Sequence, residues 1–156
     1  GLNLSVSTES TSATGRDPTF RPRVLQAYEY RCAFCGFDVQ LELKSVGLEA
    51  AHIKWKQAKG PDVESNGLAL CVLHHQLFDR GAMTVDADLT MLLSRKVRGY
   101  EGFDTHLLAH HGQPMRQPTS PECRPDSNFL KWHEREVFHG PARDRKGPKA
   151  NGSKTR

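Results

Sequence analysis

Apolar residues fall along this 156-residue chain in short runs separated by polar or glycine-rich breaks, so the pattern predicts many small elements rather than long helices. Val24, Leu25, Ala27 and Tyr28 recur at helical spacing after Pro22, which predicts a short helix from Arg23 that delivers the chain to Cys32. Phe37 to Leu41 and Val46 to Ile53 read as strands paired with each other around a polar turn at Lys44 and Ser45, and His52 lies near the end of the second. Residues 54 to 65, with Gly60-Pro61-Asp62, lack periodicity and read as a surface loop returning to Asn66. Gly67 to Leu70 is an extended lead into a helix over Cys71 to Arg80, which Gly81 ends as a C-cap. Met83 to Val85 and Leu89 to Leu93 predict a hairpin. A helix near Phe103 to His111 follows, then a proline-rich connection over residues 112 to 125. Asp126 or Ser127 caps a last helix, and Gly140-Pro141 stops it. There is no internal repeat.

Residues 1 to 19 are rich in Ser and Thr and lack aromatic side chains, so they cannot bury enough surface to offset the entropy of ordering. The expected organisation is a flexible linker over 1–19, one domain over 20–140 and a basic disordered tail over 141–156. The chain opens on glycine rather than methionine, which reads as a piece of a longer polypeptide.

Composition sharpens this picture in two ways. With 37% hydrophobic residues the chain can build one small core, which a structural metal would help to hold. The net charge of +4 is concentrated in the last residues, where Arg143, Arg145, Lys146, Lys149, Lys154 and Arg156 face Asp144 alone. Bulk charge therefore speaks for the tail and not for the domain. Lys54, Lys56 and Lys59, in the loop after His52, are better candidates for contacts to nucleic-acid phosphates. No apolar stretch is long enough to span a bilayer, and no signal peptide is visible. Two-residue cysteine spacings beside histidine argue for thiolates on zinc in a reducing compartment, so the expected location is cytoplasmic.

Cys32-x2-Cys35 and Cys71-x2-His74 are two pairs of soft ligands that can close a tetrahedral zinc site. With all four positions filled by protein, such a metal stabilises the fold and cannot activate water. His75 follows His74 directly, and on a helix the two side chains point about 100° apart, so one must face elsewhere. His75 is then free to turn toward the strand that carries His52. A histidine pair on strand and helix, with Asn66 on the loop between, suits phosphodiester hydrolysis: one imidazole deprotonates water and the other holds a divalent cation. His106, His110 and His111 form a second group with no cysteine or carboxylate to complete it, and read as a surface or core-edge helix. Cys123 stands alone as an unpaired thiol.

Cys32-x2-Cys35, Glu49-Ala-Ala-His52-Ile53, Asn66-Gly-Leu-Ala-Leu-Cys71 and His74-His75-x3-Asp79-Arg-Gly81 resemble the HNH nuclease family. The wider run, with Leu48 to Trp55 and Trp132-His-x3-Val137-Phe138, resembles the nuclease domain of McrA-type, modification-dependent (type IV) restriction endonucleases, most closely the actinobacterial branch that cuts phosphorothioated DNA. The resemblance implies an α+β fold with a small zinc-stabilised ββα-metal core, an additional hairpin and flanking helices. It implies His52 as general base, Asn66 as the residue orienting loop and base, and His75 as ligand to a catalytic Mg²⁺ or Mn²⁺. Many members place Asp or His before the base, where this chain has Ala51. Glu49, on the strand face of Ala51 and about 7 Å along it, and Asp79, one helical turn after His75, compete as the second ligand.

The favoured reading is a metal-dependent endonuclease domain cutting double-stranded DNA near phosphorothioate or methylated sites to give 5′-phosphate and 3′-hydroxyl ends. Other domains choose the target, since no helix here is studded with base-reading side chains. A homodimer of the full protein is left open, and no membrane partner is expected. The alternative is a zinc-stabilised, non-catalytic nucleic-acid-binding module, which has no need of His52, Asn66 and His75 together. A protein-interaction domain leaves both histidines unexplained.

Overall fold

A computed structural model describes residues 17–144, so the expected linker lies largely outside the described residues, as does most of the expected tail. Helix α1 spans Phe20–Ala27 and buries Phe20, Val24, Leu25 and Ala27. It begins earlier than the expected start at Arg23. Pro22 sits in its first turn, where a missing N–H costs no helical hydrogen bond. The chain then turns through Cys32 to Cys35 and forms a minimal hairpin, β1 (Gln40–Leu41) with β2 (Lys44–Ser45). Its turn is Glu42-Leu43, both at positive φ, two positions before the turn expected from polarity, and Lys44 and Ser45 lie in β2 instead.

The central hairpin differs from the sequence reading. Strand β3 (Leu48–His52) does not pair with the apolar run near Phe37. It pairs antiparallel with β4 (Gly67–Cys71), in a register that sets Leu48 opposite Cys71 and His52 opposite Gly67. Every residue of β4 is buried, which explains its unbroken apolar run: it lies inside the molecule rather than on a half-wet face. The run near Phe37 leaves Val39 and Leu41 exposed, so it has little burial to offer a partner strand.

Helix α2 (Val72–Asp79) follows β4 without a loop. Cys71 is its N-cap, with Sγ accepting from the His74 amide at 3.5 Å. Gly81, at φ +79, continues past the helix end, as a left-handed C-terminal glycine does. Strands β5 (Met83–Val85) and β6 (Met91–Leu93) form the expected hairpin. Helix α3 (Glu101–His106) and a 3₁₀ turn at Leu108–His110 follow. Helix α4 (Ser127–Glu136) is capped by Asp126, whose carboxylate accepts from the Asn128 amide.

Tyr28, Ile53, Leu68, Leu70, Phe78, Met83, Leu93 and Leu130 meet in one apolar core, so β3, β4 and helices α1, α2 and α4 are packed around a common centre, while α3 buries no residue. Gly67 has a specific place in it. A Cβ there would come within 2.5 Å of Val24 Cγ2 and 3.0 Å of Phe20 Cζ, so its absence lets α1 lie directly on the start of β4. Beyond α4, the Arg143 amide donates to the Leu93 carbonyl and Ala142 bridges Ser94. No helix among the described residues is long and apolar enough to cross a membrane.

Candidate active site and metal centre

Four ligand atoms converge where the turn after α1 meets the junction of β4 and α2. The sulfurs of Cys32, Cys35 and Cys71 and one ring nitrogen of His74 lie within 4.8 Å of one another. Cys35 Sγ and Cys71 Sγ are 3.8 Å apart, the edge of a tetrahedron with zinc–sulfur bonds of about 2.3 Å. His74 turns Nδ1 inward, 3.3 Å from Cys71 Sγ and 3.9 Å from Cys32 Sγ. Its Nε2–H donates to the His106 carbonyl at 2.8 Å, which leaves the Nδ1 lone pair for a metal. The Phe34 amide donates to Cys32 Sγ, as amides of a zinc knuckle do.

The electrostatics of this cage favour a cation. Contacts from Cys35 and Cys71 hold the Cys32 thiol far below its ordinary range, and contacts from Cys32 and Cys71 push the Cys35 thiol up. Burial works against protonation of His74, yet Cys32, Cys71 and the His106 carbonyl lift it to about 10. A site that draws a proton this strongly suits a dication bound by thiolates. Three thiols and an imidazole, with no open position, match structural zinc. Among the described residues no other group of three or more His, Cys, Asp or Glu donors converges in this way. His106 supports the cage through its carbonyl, and His110 packs its ring edge-on against His74.

On the other side of α2 lies an open cleft of about 390 Å³ lined by Ala50, His52, Trp55, Lys56, Gln57, His75 and Asp79. Adjacent His74 and His75 therefore diverge as helical geometry demands, one into the cysteine cage and one into the cleft that also holds His52. His75 is clamped between carboxylates, with Nδ1 2.5 Å from Glu49 Oε1 and Nε2 3.1 Å from Asp79 Oδ2. The Asp79 contact lifts its pKa most, burial opposes, and Glu49 adds to bring it to about 9. Both candidate second ligands thus reach His75, one on each ring nitrogen. Because they occupy opposite ring nitrogens, the two carboxylates and the imidazole do not converge on one point as the cage ligands do.

Asn66 is wholly buried at the foot of β4. Its Oδ1 accepts from the Lys54 amide at 2.8 Å, and its Nδ2 donates to the carbonyls of Lys54 and Pro61, each at 3.0 Å. The side chain clasps both ends of the loop after His52. Gly60 completes the clasp, because a Cβ there would lie 1.7 Å from the Lys54 carbonyl oxygen and 2.9 Å from Asn66 Nδ2.

The loop also brings in a residue that sequence reasoning missed. Asp62 Oδ1 lies 2.7 Å from His52 Nε2, while Asp62 Oδ2 accepts from Lys56 Nζ at 3.0 Å and from the Asp17 amide at 3.1 Å. Burial would raise the Asp62 carboxyl, but His52 and Lys56 bring it down to about 2, so it is ionised. Phe20 stacks flat on the His52 ring, with centroids 4.2 Å apart and planes within 9°. Neither residue carries a spacing signal. Of the three candidate DNA-binding lysines, only Lys56 lines the cleft, and its ammonium already meets Asp62. Lys59 is exposed and Lys54 half-buried.

The β3–β4–α2 unit is part of a small α+β fold whose Cys3His cage fits a zinc-stabilised HNH core, and residues 32–86 match the HNH endonuclease family. A solved structure, the modification dependent TagI restriction endonuclease, superposes with a TM-score of 0.56 at 24% sequence identity, over 76% of this chain and 37% of that one. The chain thus spans little more than a third of that protein's length, and the likeness is one of fold. No curated protein matches the chain.

Proposed function

We propose that this chain is a metal-dependent DNA endonuclease domain that hydrolyses phosphodiester bonds near modified sites, with the modification recognised by other domains of a longer protein. The observation that carries the reading is the single cleft shared by His52 from β3 and His75 from α2, beside a separate Cys3His cage. A purely structural zinc module needs the cage and has no use for the cleft. The name of the TagI restriction endonuclease supports a modified target, and the phosphorothioate preference rests on the sequence resemblance alone.

In this reading His52 takes a proton from water in the cleft, and the hydroxide so formed attacks phosphorus in line. The bond from phosphorus to the 3′ oxygen breaks, and that oxygen takes a proton from water, leaving a 5′-phosphate and a 3′-hydroxyl. His75, with Glu49 or Asp79, would hold the catalytic cation, which when bound supplies positive charge to the phosphate oxygens. Cys32, Cys35, Cys71 and His74 would hold structural zinc. Asn66 keeps the loop after His52 closed, and so acts on the base through the backbone.

Plasmid and phosphorothioated or methylated duplexes, incubated with the chain and Mg²⁺ or Mn²⁺, test the proposal. His52→Ala should lower cleavage by about 10²- to 10⁴-fold while zinc content and far-ultraviolet circular dichroism stay at wild-type values. Undiminished cleavage by this variant would remove His52 from the mechanism.

A further inference from the structure

We infer that Asp62 is the positioning residue of the base: by accepting the Nε2 proton of His52, it fixes the tautomer in which the Nδ1 lone pair is offered to water in the cleft. This rests on the nuclease reading given above. An ionised carboxylate only accepts, so at 2.7 Å the shared proton belongs to His52 Nε2. A neutral imidazole carries one N–H, which leaves Nδ1 as the basic atom. His52 lines the cleft, and Asp62 is not among its lining residues.

The contact is built from several directions. Asp62 is 10% exposed at its side chain, and its second oxygen is held by Lys56 and by the Asp17 amide. Asp17 is itself bound by Arg23, which also donates to the Asp62 carbonyl. Phe20 fixes the plane of the imidazole while Asp62 fixes its rotation within that plane. When the ring takes the proton of water, the resulting imidazolium gains an adjacent anion. The charged groups that face His52 are Asp62, with Lys56 behind it, and His75 and Asp79 across the cleft.

The test uses the whole chain. ¹⁵N NMR of the resting wild-type protein reads the His52 tautomer directly, and the expected form is Nε2–H. Asp62→Asn should reduce kcat on duplex DNA about 100-fold with little change in KM. Asp62→Glu should recover part of the rate. Zinc content serves as the check on folding. An Nδ1–H tautomer in the wild type would overturn the assignment, even if Asp62→Asn failed to fold. So would Asp62→Asn turning over at the wild-type rate. Failure of the nuclease reading has a different signature, in which the wild type cuts no DNA with either cation although the Nε2–H tautomer is present.

Discussion

At the scale of single residues, the molecule depends on polar side chains that reach backbone. Asn66 is the clearest, because its amide satisfies one N–H and two carbonyls that the loop would otherwise bury unpaired. Asn66→Ala should destabilise the chain by about 3 kcal/mol, measured as a fall in the urea midpoint, since orphaned buried groups cost about 1–3 kcal/mol each. Asn66→Asp discriminates shape from hydrogen bonding. It keeps the volume but sets a carboxylate oxygen against the Lys54 and Pro61 carbonyls, so it should be at least as harmful as alanine. An aspartate variant as stable as wild type would show that the clasp contributes only packing.

At the scale of elements, α2 faces two sites because consecutive helical residues diverge, and β4 feeds it from the core with no loop that could let the two sites drift. Helix α4 is tied to this unit by a buried histidine. His133 Nε2–H donates to the Phe78 carbonyl at 2.9 Å, Nδ1 accepts from the Thr84 hydroxyl at 2.8 Å, and the ring stacks on Phe78 at 3.7 Å. Burial pushes its pKa down from 6.5 to about 4, against the weaker pull of the Phe78 carbonyl. Between these values the unfolded chain binds a proton that the folded chain does not, so stability falls as pH falls. The contribution should be complete above about pH 6.5 and lost by about pH 4, with a size on the order of 3 kcal/mol. His133→Gln should flatten the dependence of the urea midpoint on pH across that window. An unchanged slope would place the acid sensitivity elsewhere.

At the scale of the whole molecule, the Cys3His cage joins the turn after α1, the end of β4 and the start of α2, segments that are distant in sequence. Metal binding and folding should therefore be one event. The expected zinc content is one per chain, by elemental analysis. Chelation at neutral pH, or Cys71→Ser, should remove the zinc and abolish the cooperative thermal transition. A zinc-free chain that still melted cooperatively near the wild-type temperature would make the cage dispensable.

Much of the site was legible because ligand chemistry works at short range. Two pairs of soft ligands spaced by two residues, and neighbouring histidines forced apart by helical geometry, are properties of local covalent structure, so the cage and the separate fate of His75 could be read directly. Short apolar runs likewise revealed the helices, the last hairpin and the Asp126 cap. Strand partnership was not legible in the same way. Alternation tells which face of a strand is apolar but not which strand lies beside it, and the fully buried Gly67 to Leu70 passed for a lead into a helix. Asp62 and Phe20 were invisible for a related reason: each touches His52 only because a loop closes and a helix packs on Gly67. The chain by itself determined which atoms could bind metal and which imidazoles could do chemistry. The tertiary structure alone decided what stands behind the base, because that depends on contacts between segments whose separation no sequence period records.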